Sequence, residues 1–246
     1  MLHGFLDTWR TWELVLPALE RRHDVLALTL PGHAGGPPLP ARLTATSTVA
    51  AVEAAMDAAG IETAHVAGNS LGGFLALQLA ARGRARSVVA LSPAGGWGGG
   101  SAVLADTLAE QERLHAAVRA GAGQAETLMA TPAGRRRATA STTVAYEHLP
   151  AELLAHQMVG IARCDAGRML RFAATDPYEV DLAAIACPVR VVWGREDQIL
   201  PWPAAAARLR RELWHADWVE LDDVGHAPQL DVPVETAQLI LGWTGV

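Results

Sequence analysis

Lysine is absent, and all 20 basic residues are arginine. With so much alanine, this suggests a GC-rich bacterial coding sequence, which bears on origin and not on chemistry. A chain without lysine has no glycine-rich phosphate loop of the usual kind, so nucleotide hydrolysis finds no support. Cysteine is nearly absent. Cys164 and Cys187 imply neither a disulfide framework nor a cysteine-built zinc site. No metal-ligand cluster is visible and no cofactor is required. No apolar run approaches the roughly 18 residues of a membrane span. The N-terminus lacks a charged stretch followed by an apolar one, so no secretion signal is read and a cytoplasmic location with no membrane partner is expected. Basic residues are scattered, apart from Arg135, Arg136 and Arg137, and the net charge is -6. Nucleic acid is therefore a poor partner.

What is present is a chain of 246 residues, 50% hydrophobic. That suffices for one ordinary globular domain with room for an inserted subdomain, and it excludes disorder. Strands alternate with helices, which argues for a parallel sheet covered on both faces. The pattern predicts strands over 24–30, 65–68, 87–92, 189–193 and 218–221. It predicts helices over 46–60, 71–82 and 233–243. Between Gly95 and about Thr175 the rhythm changes. A run from Gly95 to Gly100 reads as a hinge, and only helical patterns follow, over 102–120, 125–130 and 151–163. A helical insertion between two sheet strands is the simplest account.

Gly68-Asn69-Ser70-Leu71-Gly72 matches G-x-S-x-G, with a predicted strand before it and a helix after it. That context is what the chemistry needs. A sharp strand-to-helix turn holds the Ser70 hydroxyl at the positive end of the helix, and side chains at Gly68 or Gly72 would clash. A plain glycine turn is the bland alternative.

At this point the sequence resembles the α/β-hydrolase superfamily over nearly its whole length. Four segments carry the likeness: Leu2-His3-Gly4-Phe5, Leu30-Pro31-Gly32-His33, Gly68 to Gly73, and Trp193-Gly194-Arg195-Glu196-Asp197 with Gly225-His226-Ala227-Pro228. The resemblance implies an α/β-hydrolase fold of mostly parallel sheet with helices on both faces and an inserted helical cap. The core is expected over 1–96 and 176–246, and the cap over 97–175. It implies a catalytic triad. Ser70 is the nucleophile, His226 its base, and Asp197 the acid that orients His226. The alternative acid position of some relatives falls in Ser92 to Gly96, which holds no carboxylate. Asp222, Asp223 and Asp231 read as solvated-loop residues, and His3 and His33 as organisers of backbone. The implied oxyanion donors are the backbone N–H groups of Phe5 and Leu71.

Epoxide hydrolases and haloalkane dehalogenases of this fold carry Asp where this chain has Ser70. Ester or lactone cleavage through an acyl-enzyme is therefore expected. The substrate is a small, largely apolar molecule with a carbonyl. A carbon–carbon bond hydrolase acting on vinylogous diketones stays open, as does a low-turnover receptor or biosynthetic protein on the same scaffold. Trp97, Met129 and Met158 are candidate pocket residues, with Leu104, Leu108, Leu153 and Met169 beside them. The arginine triplet reads first as a solvated helix face. One departure stands out. The family's first hairpin and first buried strand have no counterpart before His3, so N-terminal strands are expected to be truncated and the true start to lie upstream.

Overall fold

The computed structural model describes residues 1–97, 102–175 and 179–245. Four parallel strands form a sheet in the order β1 (Ala64–Asn69), β2 (Ala85–Leu91), β3 (Val189–Gly194) and β4 (Asp217–Leu221). The helices are α1 (Leu16–Leu19), α2 (Ser47–Ala58), α3 (Leu71–Ala81), α4 (Ala102–Gly121), α5 (Ala125–Met129), α6 (Pro132–Thr139), α7 (Ala151–Ala162), α8 (Ala166–Ala173), α9 (Ala207–Glu212), α10 (Pro228–Asp231) and α11 (Pro233–Leu241).

Successive strand residues point to opposite faces, and here both faces are buried. Val88, Ala90, Val189, Val191 and Trp193 pack with Val52 of α2, Leu77 of α3 and Leu209 of α9. Val89, Leu91, Val192 and Leu221 pack on the other face with Trp12, Val15, Leu19 and Ile240. That is the two-sided burial a parallel sheet demands, and it explains why the strands read as nearly continuous apolar runs.

Between β2 and β3 the chain leaves the sheet for α4 to α8, with no strand among the described residues. This helical insertion does not stand apart. Met129, Leu149, Leu153 and Leu154 share a cluster with Ala227 and Leu230, beside His226. Gly98 to Gly100 of the expected hinge, and residue 176 where the core was expected to resume, lie outside the described residues.

The expected strand over 24–30 is not a ladder strand. Leu2 makes single parallel bridges to Leu28 on one side and to Gly68 on the other. Among the described residues only these single bridges at Leu2 join the 24–30 segment to β1. The segment is held instead by isolated bonds, such as Leu28 N–H to the Met1 carbonyl and Leu30 N–H to His3 Nε2. Helix α6 has almost no apolar residues to give a period, and α8 is amphipathic but only two turns long, too short for its pattern to stand out in the sequence.

The β1–α3 crossing leaves no space. A Cβ on Gly68 would lie 2.1 Å from the Gly72 carbonyl oxygen, and one on Gly72 would lie 2.1 Å from that of Leu2. Gly68→Ala is expected to cost more than the roughly 1–3 kcal/mol of ordinary overpacking, because backbone and not a movable side chain stands in the way. Gly123→Ala, where a Cβ meets nothing within 4 Å, should stay within about 0.5 kcal/mol of the parent. Urea melts of the two variants check this, and equal midpoints would overturn it.

Candidate active site

Ser70 sits at the turn between β1 and α3 with φ 55° and ψ -116°. A positive φ is costly for a residue with a Cβ, so the surrounding packing must enforce it. Ser70 N–H donates to the Leu91 carbonyl, and the Ser70 carbonyl accepts from Phe74 and Ala94. The turn is thus pinned to β2 as well as to α3, whose N-terminal dipole faces the same place.

His226 follows β4 in a loop and is 5% exposed. Its Nδ1 is 2.8 Å from Asp197 Oδ2. The other carboxylate oxygen, Oδ1, accepts from Ile199 and Leu200 N–H at 2.9 and 2.7 Å. With only acceptors available on Asp197, Nδ1 carries the proton. Nε2 is then left as the acceptor. Asp222 instead pairs with Arg195 at the surface.

The segment from His3 to Asp7 reaches over Ser70. A Cβ on Gly4 would lie 3.3 Å from Ser70 Cβ, so only glycine lets the backbone come this close comfortably. Two buried imidazoles shape the turn. His3 Nε2 accepts from Leu30 N–H, so Nδ1 donates to the Gly4 carbonyl at 2.7 Å. His33 Nε2 accepts from Leu6 N–H, where Leu6 has φ 60°, and Nδ1 donates to the Pro31 carbonyl. Burial, with His33 nearby, holds His3 well below the usual imidazole range, and burial pulls His33 down to about 4. Among the described residues, the N–H groups of Phe5 and Leu71 have no partner within the chain.

Ser70, His226, Phe5, Leu71, Trp97, Met129 and Met158 all line one cavity of about 590 Å³. Leu104, Leu108 and Met169 line it too, but Leu153 does not: it turns into the cluster with Ala227 and Leu230. Of the arginine triplet, Arg137 reaches the cavity, while Arg135 donates to the Met129 carbonyl.

Four polar residues escaped the reading of the sequence. Asn69 Nδ2 donates to the carbonyls of His226 and Leu91, tying the serine turn to the histidine loop. Gln229, fully buried, donates to Asn69 Oδ1 and to Thr11 Oγ1. Asp7 accepts from Thr8 N–H and from Gln157 of α7. Burial pushes its carboxyl up to about 6, against the bonds from Thr8, Thr11 and Gln157 and the nearby His226. Asp231 corrects the expectation of a solvated loop. It is 4% exposed and accepts from Gly225, Val144 and Ala145 N–H at 2.7, 2.8 and 2.7 Å. The signal available in sequence was a polar residue inside the apolar stretch Ala227 to Val234, which reads equally well as surface.

Comparison with known proteins decides the family. The profile described as the alpha/beta hydrolase family matches residues 1–239. The chain belongs to that family. It is 31% identical over 192 residues to an epoxide hydrolase of Mycobacterium tuberculosis, across 77% of this chain and 89% of that one. It is 31% identical over 253 residues to a pimeloyl-[acyl-carrier protein] methyl ester esterase of Aromatoleum aromaticum, across 98% and 95%. Among solved structures, a bacterial membrane phospholipase A superposes with TM-score 0.76 at 25% identity, covering 98% of this chain and 76% of that one. A 2-hydroxy-6-oxo-6-phenylhexa-2,4-dienoate hydrolase from Rhodococcus sp. strain RHA1 gives 0.76 at 22%, covering 100% and 89%, which speaks to the fold alone. No described helix of this hydrolase is long and apolar enough to cross a membrane.

Two consequences can be measured. Asp231→Ala leaves three backbone N–H groups without an acceptor, at roughly 1–3 kcal/mol each when buried. A loss of about 3 kcal/mol in denaturant melts is expected, and a loss under 1 kcal/mol would contradict the role. The second is acid sensitivity. His3 and His33 have lowered pKa values, so below pH 6.5 the unfolded chain binds protons that the native one refuses. Stability then falls on acidification, by up to about 1.4 kcal/mol per pH unit for each histidine. Asp7 acts oppositely between 6 and 3.8, since there the native state holds the extra proton. Melting temperature should therefore drop from pH 8 to pH 5, and a flat or rising profile would refute this.

Proposed function

We propose that this hydrolase cleaves a carboxylic ester or lactone of a small, largely apolar substrate through an acyl-enzyme on Ser70. The observation that carries the reading is the pairing of two features on one cavity. Ser70 is held at a strained φ of 55°, and His226 has its Nδ1 fixed by Asp197 at 2.8 Å. In this reading His226 Nε2 removes the Ser70 proton as Oγ attacks the carbonyl carbon, and the oxygen becomes an oxyanion. The Phe5 and Leu71 N–H groups receive that charge, each worth roughly 3 kcal/mol in the transition state. His226 then returns the proton to the leaving alcohol. Water attacks the acyl-enzyme by the same route, and free acid and serine are regenerated. Asp197 orients the imidazole and stabilises its charged form.

Ser70 also bears on the choice among relatives. The family's epoxide hydrolases carry a carboxylate nucleophile at that position, and a hydroxyl does not replace it. The ester cleavage named for the Aromatoleum aromaticum relative fits a serine. The helical insertion acts as the cap, covering the site with Trp97, Met129 and Met158.

The test is covalent labelling with a fluorophosphonate, mapped by mass spectrometry. Label on Ser70 is expected, absent in a folded Ser70→Ala variant. Asp197→Asn should lower the kcat for ester turnover by roughly 10⁴. A folded parent that stays unlabelled would refute the reading.

A further inference from the structure

Hydroxyls and amides recur around the cavity wall, but charge does not. Among the described residues that line it, Asp7 is the one carboxylate, Arg137 the one arginine and His226 the one imidazole. Arg137 is exposed on α6, where water and salt screen it. Asp7 is half-buried and ends the segment that passes over Ser70. Three residues separate it from Gly4, at most about 10 Å of chain, and the chain turns at Leu6 with φ 60°. A carboxyl thus lies within reach of the reacting centre rather than at the rim. Its acceptor sites are not used up. A carboxylate offers about four. Oδ1 takes Thr8 N–H at 2.8 Å and Gln157 Nε2 at 3.1 Å. Thr11, whose oxygen already accepts from Gln229, gives its proton as a third donor. One site is left, on a side chain that lines the cavity. Burial pushes the carboxyl up to about 6 although three donors and His226 oppose this. The surface that Asp7 keeps therefore opens on a confined space and not on bulk water, where its charge is weakly screened. No described cation pairs with it. Arg10 of the turn Trp9–Trp12 is engaged by Glu13 and by Glu152 of α7, and His156 of α7 sits among those three. His226 is the one titratable group whose charge acts on Asp7.

Resting on the serine-hydrolase reading above, we propose that Asp7 is a specificity-determining residue, which receives a cation or hydroxyl carried near the scissile carbonyl and rejects a carboxylate placed there. A desolvated carboxylate with an open site gains from an opposite charge or a donor. An anion brought beside it is repelled with little water between them, and that repulsion discriminates as strongly as the attraction does. The substrate class is thus a small, largely apolar ester or lactone with one cationic or hydrogen-bond-donating group, and not an anionic one.

The experiment compares methyl esters with acyl chains of about two to six carbons, whose far end is a methyl, hydroxyl, trimethylammonium or carboxylate group. Binding is measured by calorimetry on Ser70→Ala protein, so that no turnover is needed. At pH 7.5 and one chain length, the hydroxyl and trimethylammonium esters should each bind about tenfold tighter than the methyl ester, and the carboxylate ester about tenfold weaker. Adding Asp7→Asn keeps the shape and removes the charge. It should bring the trimethylammonium and carboxylate esters to within about twofold of each other. Asp7→Ser serves if that variant does not fold. At pH 5 the Asp7 carboxyl is largely protonated. With folding checked by circular dichroism, discrimination between the charged ends should shrink there by more than in the Asp7 variant, which shares the His226 titration. Equal affinities for all four ends at every length, or charge discrimination that survives loss of Asp7, would overturn the proposal. The unmutated protein is then assayed for hydrolysis of the same esters. Turnover with no end-group preference would sink the specificity role and keep the hydrolase reading. A binding preference that is lost with Asp7, together with no turnover of any ester, would do the reverse.

Discussion

The crossing of β1 and α3 over the residues around Leu2 is the constraint on which the rest depends. Three backbones meet there: β1 at Gly68 and α3 at Gly72 leave no room for a methyl group, and the His3–Asp7 segment passes tightly at Gly4. Close packing of this kind is what can hold Ser70 at a positive φ, because relaxation of the turn would drive backbone atoms into one another. The same contact aims the α3 dipole at the cavity. It also brings Phe5 and Leu71, whose N–H groups have no partner among the described residues, to the cavity that Ser70 lines.

Around that crossing runs a buried polar frame. Asn69 joins the serine turn to the histidine loop, Gln229 joins both to Thr11, and Thr11 and Gln157 meet on Asp7. Asp231 binds the segment between α6 and α7 to the loop before His226. Buried hydrogen bonds of this sort add modest net stability but select one arrangement over its near competitors. Their effect here is to make the helical insertion part of the support around Ser70 and His226 rather than a cover resting on them. A shift of α7 would be felt at Asp7, and a shift of the segment after α6 would be felt at His226.

Much of the fold was legible in the chain itself. The alternation of buried strands with helices is dictated by apolar periodicity, and β1, β2, β3 and β4 fall within a few residues of where that periodicity puts them. G-x-S-x-G was legible for a steric reason, since only glycine fits on either side of the turn. The 24–30 segment has the composition of a strand, but a ladder also needs a partner, and here it makes only one bridge, Leu2 to Leu28. Helix α6 carries too few apolar residues to announce itself, and α8, though amphipathic, is only eight residues long.

The candidate site divides in the same way. The family resemblance pointed to Ser70, His226 and Asp197 together, each lying just past a strand, and the structure sets His226 Nδ1 against Asp197 and Ser70 on the cavity that His226 lines. Tertiary structure alone decided which carboxylates matter around them. Asp222 and Asp231 look alike in sequence, yet one pairs with Arg195 at the surface and the other lies buried under three N–H groups. Burial is a property of what folds over a residue from elsewhere in the chain.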